Sequence, residues 1–253
     1  MPRIPTITCI LFSLAGLAFS QTFEVASIKA TAASPGGERR HGPNIQTTPG
    51  NLTMRDVDLG VAIVWAYKIS PLQVTNPPMG PGDRYDILAK AAGPATNDEM
   101  RIMLQALLAE RFKMATHRET KEVSGYALIE AKGGHKLKEA VAMDGQGVMP
   151  IEDGKRMALG ASRATLDQLA MFISMPLHAI VVDQTGLKGR YDFELDLTSF
   201  NIKGPRAKDE PEPDPVSILQ QALPRQLGLR LEAKKMPVEM LVIDHLEKKP
   251  VEN

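Results

Sequence analysis

Apolar residues along Met103–Ile129 (MLQALLAERFKMATHRETKEVSGYALI) return in the same order, with different residues, along Ile218–Asp244 (ILQQALPRQLGLRLEAKKMPVEMLVID). At a constant offset of 115, Leu104 falls on Leu219, Leu108 on Leu223, Phe112 on Leu227, Met114 on Leu229, Val123 on Val238 and Leu128 on Ile243. Such self-similarity predicts one structural unit used twice. In the first copy Met100, Met103, Leu104, Leu107 and Leu108 have the three-and-four spacing of a helix lying on a core. Thr96 and Glu99 form a capping box at its start. After it, Lys113–Arg118 and Gly125–Glu130 read as a hairpin joined through Glu119–Ser124.

The echo extends upstream. Leu59, Ala62, Ile63 and Ala66 share one face of a helix that begins after Asp58, and at an offset of 107 Leu52 falls on Leu159, Asp58 on Thr165, Leu59 on Leu166 and Trp65 on Phe172. Asp58 and Thr165 are both good N-caps. Arg84-Tyr85-Asp86 and Arg190-Tyr191-Asp192 open corresponding strands at an offset of 106. Thr22–Lys29 reads as a strand, Ala30–Gly50 as a loop and Asn51–Arg55 as a strand. Nine additional residues in the second copy belong to the acidic, proline-rich insert Ser199–Pro215, and Pro224, standing where the first copy has Ala109, is expected to shorten or bend its helix. The expected fold is α+β: two tandem βαββαββ repeats, helices packed against mixed or antiparallel sheet. The expected boundaries are a signal peptide over 1–20, a first αβ repeat over 21–132, a linker over 133–155 and a second repeat over 156–249.

Composition changes this picture at one end. Arg3, the apolar run Ile4–Phe19 and the small residues of Ala18-Phe19-Ser20 predict a secretory signal cut before Gln21. The protein is therefore expected in the periplasm or secreted, with no transmembrane span after cleavage. Cys9, the only cysteine, leaves with the signal, so the mature chain must be held by core burial without disulfides. Thirty basic and thirty acidic residues give no electrostatic footprint for nucleic acid or an anionic membrane.

The most polar cluster beside a predicted element is His117-Arg118-Glu119. Alternation puts His117 and Glu119 on one strand face, where a histidine and a carboxylate are candidates for acid–base work, and Arg118 on the other, where it is a candidate for binding. Arg84, Asp86, Arg190 and Asp192 are further binding candidates, but a motif present in both copies is expected to serve the fold, with each Tyr packed in the core and Arg and Asp paired with neighbours. His41, His117, His135, His178 and His245 are scattered. No metal site and no cofactor is expected, and the oligomeric state is left open.

FEVASIK, RYDI, MLQALLAERFK followed by HRETKE, YALIEAKGG, VVDQTGLKGRYDFEL and LVIDHLEK resemble, in that order over Gln21–Lys249, the soil-associated exported proteins that are numerous in acidobacterial genomes. That family has no established biochemical role. The resemblance implies extracytoplasmic sensing at most, through relatives that look like appendages of beta-lactam-sensor-type metallopeptidases, whose zinc motif this chain lacks. The repeats also resemble the short N-terminal domain of secretins and TonB-dependent receptors, a module for protein contacts. The leading expectation is an exported, non-catalytic binding or sensing module for a protein or other envelope component. The alternatives are a hydrolase using His117 and Glu119 with Asp244 or His245, and a structural accessory of a secretion or receptor complex.

Overall fold

The structure is a computed structural model that describes residues 22–31, 44–78, 84–141, 147–153, 156–200 and 214–251. The expected signal peptide, Gln21, His41 and most of the acidic insert lie outside these residues.

The chain forms β1 (Val25–Ala30), β2 (Asn44–Thr48), β3 (Asn51–Val57), α1 (Leu59–Tyr67), β4 (Val74–Thr75), β5 (Tyr85–Lys90), α2 (Asn97–Arg111) and β6 (Ala115–Glu130). It continues through β7 (Lys138–Glu139), β8 (Gly147–Asp153), β9 (Arg156–Ala164), α3 (Leu166–Leu177), β10 (Val181–Asp183), β11 (Tyr191–Asp196), α4 (Pro215–Gln226) and β12 (Leu229–His245). The fold is α+β. One sheet has the order β1-β5-β3-β2, a second the order β7-β11-β9-β8, and between them a third has the order β10-β6-β12-β4.

Local chemistry sets the helix starts as the sequence predicts. Asp58 accepts the Val61 amide, and Thr96 with Glu99 and Thr165 with Gln168 form capping boxes. Helices α1 and α2 pack on each other, and side chains of α2 reach the last carbonyls of α1. The Arg101 guanidinium sits 4.5 Å from the Trp65 ring centre and donates to the Trp65 carbonyl, while Gln105 Nε2 donates to the Ala66 carbonyl at 2.9 Å. Burial lowers the pKa of Arg101, against the opposing pull of Asp98.

Two cores result. Leu52, Met54, Tyr85 and Ile87 meet Ala62, Ile63, Leu104 and Leu108 in the first, and Leu166, Leu169, Tyr191, Leu195, Leu219 and Leu223 form the second. The third sheet ties them together. Leu241 and Ile243 of β12 enter the first core, whereas Leu128 of β6 with Leu229 and Leu231 of β12 enter the second.

Four expectations are corrected. Lys113–Glu130 is not a hairpin, because Glu119–Ser124 runs straight through as the middle of β6, paired residue by residue with β12. Each half of the chain therefore reads βαββαβ from β3 or β9 onward, not βαββαββ. The segment 133–155, read as a linker, contributes β7 to the edge beside β11 and β8 to the edge beside β9, and Ala30–Gly50, read as a loop, contributes β2. Of the two effects expected of Pro224, an early end to α4 does not occur: the helix ends at Gln226, 115 positions after the Arg111 that ends α2. A proline one turn from a helix end removes only one amide from the ladder, and here the helix continues through it.

The β6–β12 register has a marked regularity. Glu122 faces Pro237, the residue 115 positions later, and the pairs run out evenly from there, Arg118 to Leu241 and Tyr126 to Ala233. The short strands flanking the ribbon are exchanged: β4, from the first half, runs parallel to β12, and β10, from the second, runs parallel to β6. Tyr126 donates its amide to the Ile180 carbonyl at 2.9 Å, and that carbonyl lies where a Cβ on Gly125 would fall, so only glycine permits the approach of β10.

Candidate functional site

The Arg-Tyr-Asp motifs are accounted for by two β-bulges. Between Met54 and Val57 β3 carries one residue more than β5, and between Ala161 and Ala164 β9 carries one more than β11. The bulged residues Asp56 (φ 52) and Arg163 (φ 51) adopt the left-handed conformation that non-glycine residues seldom take. In each bulge the motif's aspartate accepts the amide, Asp56 N to Asp86 Oδ1 at 2.9 Å and Arg163 N to Asp192 Oδ1 at 2.8 Å. The motif's arginine takes the carbonyl of the same residue, Arg84 from Asp56 and Arg190 from Arg163 at 3.1 Å. Arg84 Nε also meets Asp56 Oδ1 at 2.5 Å. Tyr85 and Tyr191, both 2 % exposed, plug the cores below. Arg84, Asp86, Arg190 and Asp192, four of the five binding candidates, are thus engaged within the chain, as clamps on a strained backbone.

This assignment carries a prediction. Asp86→Ala leaves a half-buried amide without its acceptor and should destabilise by about 1 to 3 kcal/mol, whereas Asp192→Ala, at an exposed bulge that water reaches, should cost less than about 1 kcal/mol. Urea midpoints of the two variants check the difference.

The His117 cluster lies on the ribbon. His117 Nδ1 stands 2.8 and 2.9 Å from the two carboxylate oxygens of Asp244, brought to the same side of the ribbon by a bulge between Ile243 and His245. Their side chains are 54 % and 46 % exposed, so water screens the pair. Glu119 turns to Lys121 Nζ at 2.5 Å, not to His117, and Arg118 pairs with Glu239 across the ribbon. The structure therefore joins His117 to Asp244, places His245 4.0 Å from Glu247, and leaves Glu119 and Arg118 in separate ion pairs. Chemically, a carboxylate at Nδ1 fixes the imidazole ring as a hydrogen-bonding group on an open strand surface. No cluster of three or more metal-ligating side chains occurs among the described residues.

A cleft of about 340 Å³ opens where the end of α1 meets α3 and β10, lined by Lys68, Ser70, Gln73, Asp167, Gln168 and Asp183. Local spacing does not reveal it because its walls come from both halves, the end of α1 and the turn after it from the first and α3 and β10 from the second. Among the described residues no helix is long and apolar enough to cross a membrane.

A family model matches residues 61–246, most of the chain, under the description protein of unknown function (DUF3738). The chain belongs to the DUF3738 family. No curated protein and no solved structure matches it. In this DUF3738 member the matched span runs from within α1 to the residue after β12, and so takes in both Arg-Tyr-Asp motifs, the whole ribbon and the cleft.

Proposed function

We propose that the protein is an exported binding module, built from two copies of one αβ unit, that captures a protein or other envelope component without turning it over. The observation that carries this reading is the exposed middle of the β6–β12 ribbon. There Arg118, Thr120, Glu122, Ser124, Lys235, Pro237 and Glu239 stand on one face, all open to solvent. A two-stranded surface anchored at both ends in hydrophobic cores presents polar groups in fixed order, which suits recognition by complementary contacts.

The test is purification of the protein from its own envelope fraction. An intact mass beginning at Gln21 and a co-purifying partner, lost or weakened in Arg118→Ala, are expected. Recovery of a species that retains Met1, or capture unchanged by Arg118→Ala, would count against the proposal. The His117–Asp244 contact favours a second reading, hydrolysis. A peptidase, esterase or glycosidase activity that accompanies the wild type and vanishes in His117→Ala would replace binding by catalysis.

A further inference from the structure

The outer edge of β6 is open over a defined length. Tyr126 donates to Ile180, just before β10, and Leu128 accepts from Gln184, just after it, so the even-numbered residues of β6 direct their backbone groups away from β12. Strand β10 covers only Tyr126–Leu128, which leaves Thr116, Arg118, Thr120, Glu122 and Ser124 with outward amides and carbonyls that no described strand meets. The opening is bounded at one end by Ala115, where β6 begins after a left-handed turn at Lys113 (φ 48), and at the other by Gly125 under the Ile180 carbonyl. Its centre is Thr120.

The matching edge of β12 is closed. Pro237, an outward position, has no amide to offer, and the carbonyl of Glu239 already accepts from Gln73 Nε2 at 3.1 Å. Association through edges can therefore use only one side of the ribbon.

The open segment is complementary to itself. In Arg118-Glu119-Thr120-Lys121-Glu122, antiparallel pairing about Thr120 sets Arg118 opposite Glu122 and Glu119 opposite Lys121, each twice, with Thr120 facing Thr120. The hydrogen-bonding phase agrees. Positions 118, 120 and 122 are the outward ones, so the three pairs they form exchange backbone bonds, and 119 with 121 is the closer, non-bonded pair. Glu122 makes no side-chain hydrogen bond or ion pair among the described residues, and the exposed Arg118 of a second copy meets it by turning from Glu239, its partner within the chain.

We infer that two copies of this chain associate through the β6 edges, antiparallel about Thr120, to form one continuous sheet with two-fold symmetry. Such an interface is isologous and, with the β12 edge closed, stops at the dimer. The charges that complete it also repel a strand of unmatched sequence, which is how a long polar edge avoids indiscriminate pairing. This inference goes beyond the binding reading, and its test uses purified protein with no partner present, so the two fail separately.

The test is sedimentation of the full mature chain at rising concentration and low salt. The wild type is expected to reach twice the monomer mass, with Glu122→Arg weakening association by about tenfold or more, because two like-charged pairs replace two opposite ones. Arg118→Glu should do the same. Mixing the two single variants should restore a dimer of one copy of each, and the double variant R118E/E122R should dimerise with itself. Unchanged urea midpoints would show that all variants fold. A wild type that stays monomeric at millimolar concentration, or a Glu122→Arg protein that dimerises as the wild type does, would overturn the inference.

Discussion

Leu108→Ala is expected to lower the unfolding free energy by about 2 to 5 kcal/mol, and Leu223→Ala by a similar amount. Both side chains are 0 % exposed, and they sit 115 positions apart in the two cores. Leu108 lies under α2 with Met100, Leu104 and Leu107, and Leu223 under α4 with Ile218, Leu219 and Ala222. Truncation removes apolar burial and leaves a cavity that neighbours already in contact cannot collapse to fill. Leu88→Ala is the control. Leu88 is 46 % exposed on the open face of β5, so its loss should stay within about 0.5 kcal/mol. An unmoved urea midpoint for Leu108→Ala would refute the core assignment.

The second large effect is expected at Gly228, between α4 and β12. Gly228 has φ 66, and a Cβ there would lie 2.3 Å from the Gly134 carbonyl oxygen and 2.9 Å from His135 Cα. The residue 115 positions earlier is Lys113, which holds φ 48 with a side chain. The two sites therefore share a backbone conformation and differ in what stands over them. Gly228→Lys should cost more than about 3 kcal/mol, adding the strain of a left-handed non-glycine residue to displacement of the 131–136 segment. Lys113→Gly should change stability by less than about 1 kcal/mol, since relief of strain and the added freedom of the unfolded chain oppose each other. Equal effects at the two positions would show that conformation alone, and not the packed carbonyl, decides.

Much of this architecture was legible because it depends on nearest neighbours along the chain. The caps at Asp58, Thr96 and Thr165 need only a side-chain oxygen and the amides that follow, and the helical stripes need only periodicity. Tyr85 and Tyr191 were placed in the core from their alternation with charged neighbours. What misled was the middle of the ribbon. Thr120, Glu122 and Ser124 are exposed, as is Lys121 on the other face, so this stretch of β6 lacks the buried alternation by which a strand is recognised, and the buried side chains of that other face, Met236, Val238 and Met240, are supplied by β12. A polar run beside Gly125 imitates a turn. The bulges were hidden for a different reason: a left-handed Asp56 or Arg163 is stabilised by side chains about 30 residues away. At the candidate site, neither the Asp244 bulge nor the cross-ribbon Glu239 contact follows from local spacing. Their partners, His117 and Arg118, are 127 and 121 residues distant.

Because Leu241 and Ile243 complete the first core, and β4 finds its only strand neighbour among the described residues in β12, the N-terminal half of this protein cannot finish folding until β12 has been synthesised. Closure must span more than a hundred residues, which favours slow folding. A chain lacking β12 therefore presents an unfilled hydrophobic groove along α1 and α2 and a sixteen-residue strand whose only described neighbour is the three-residue β10, and it depends on the seventeen-residue β12 to close both at once.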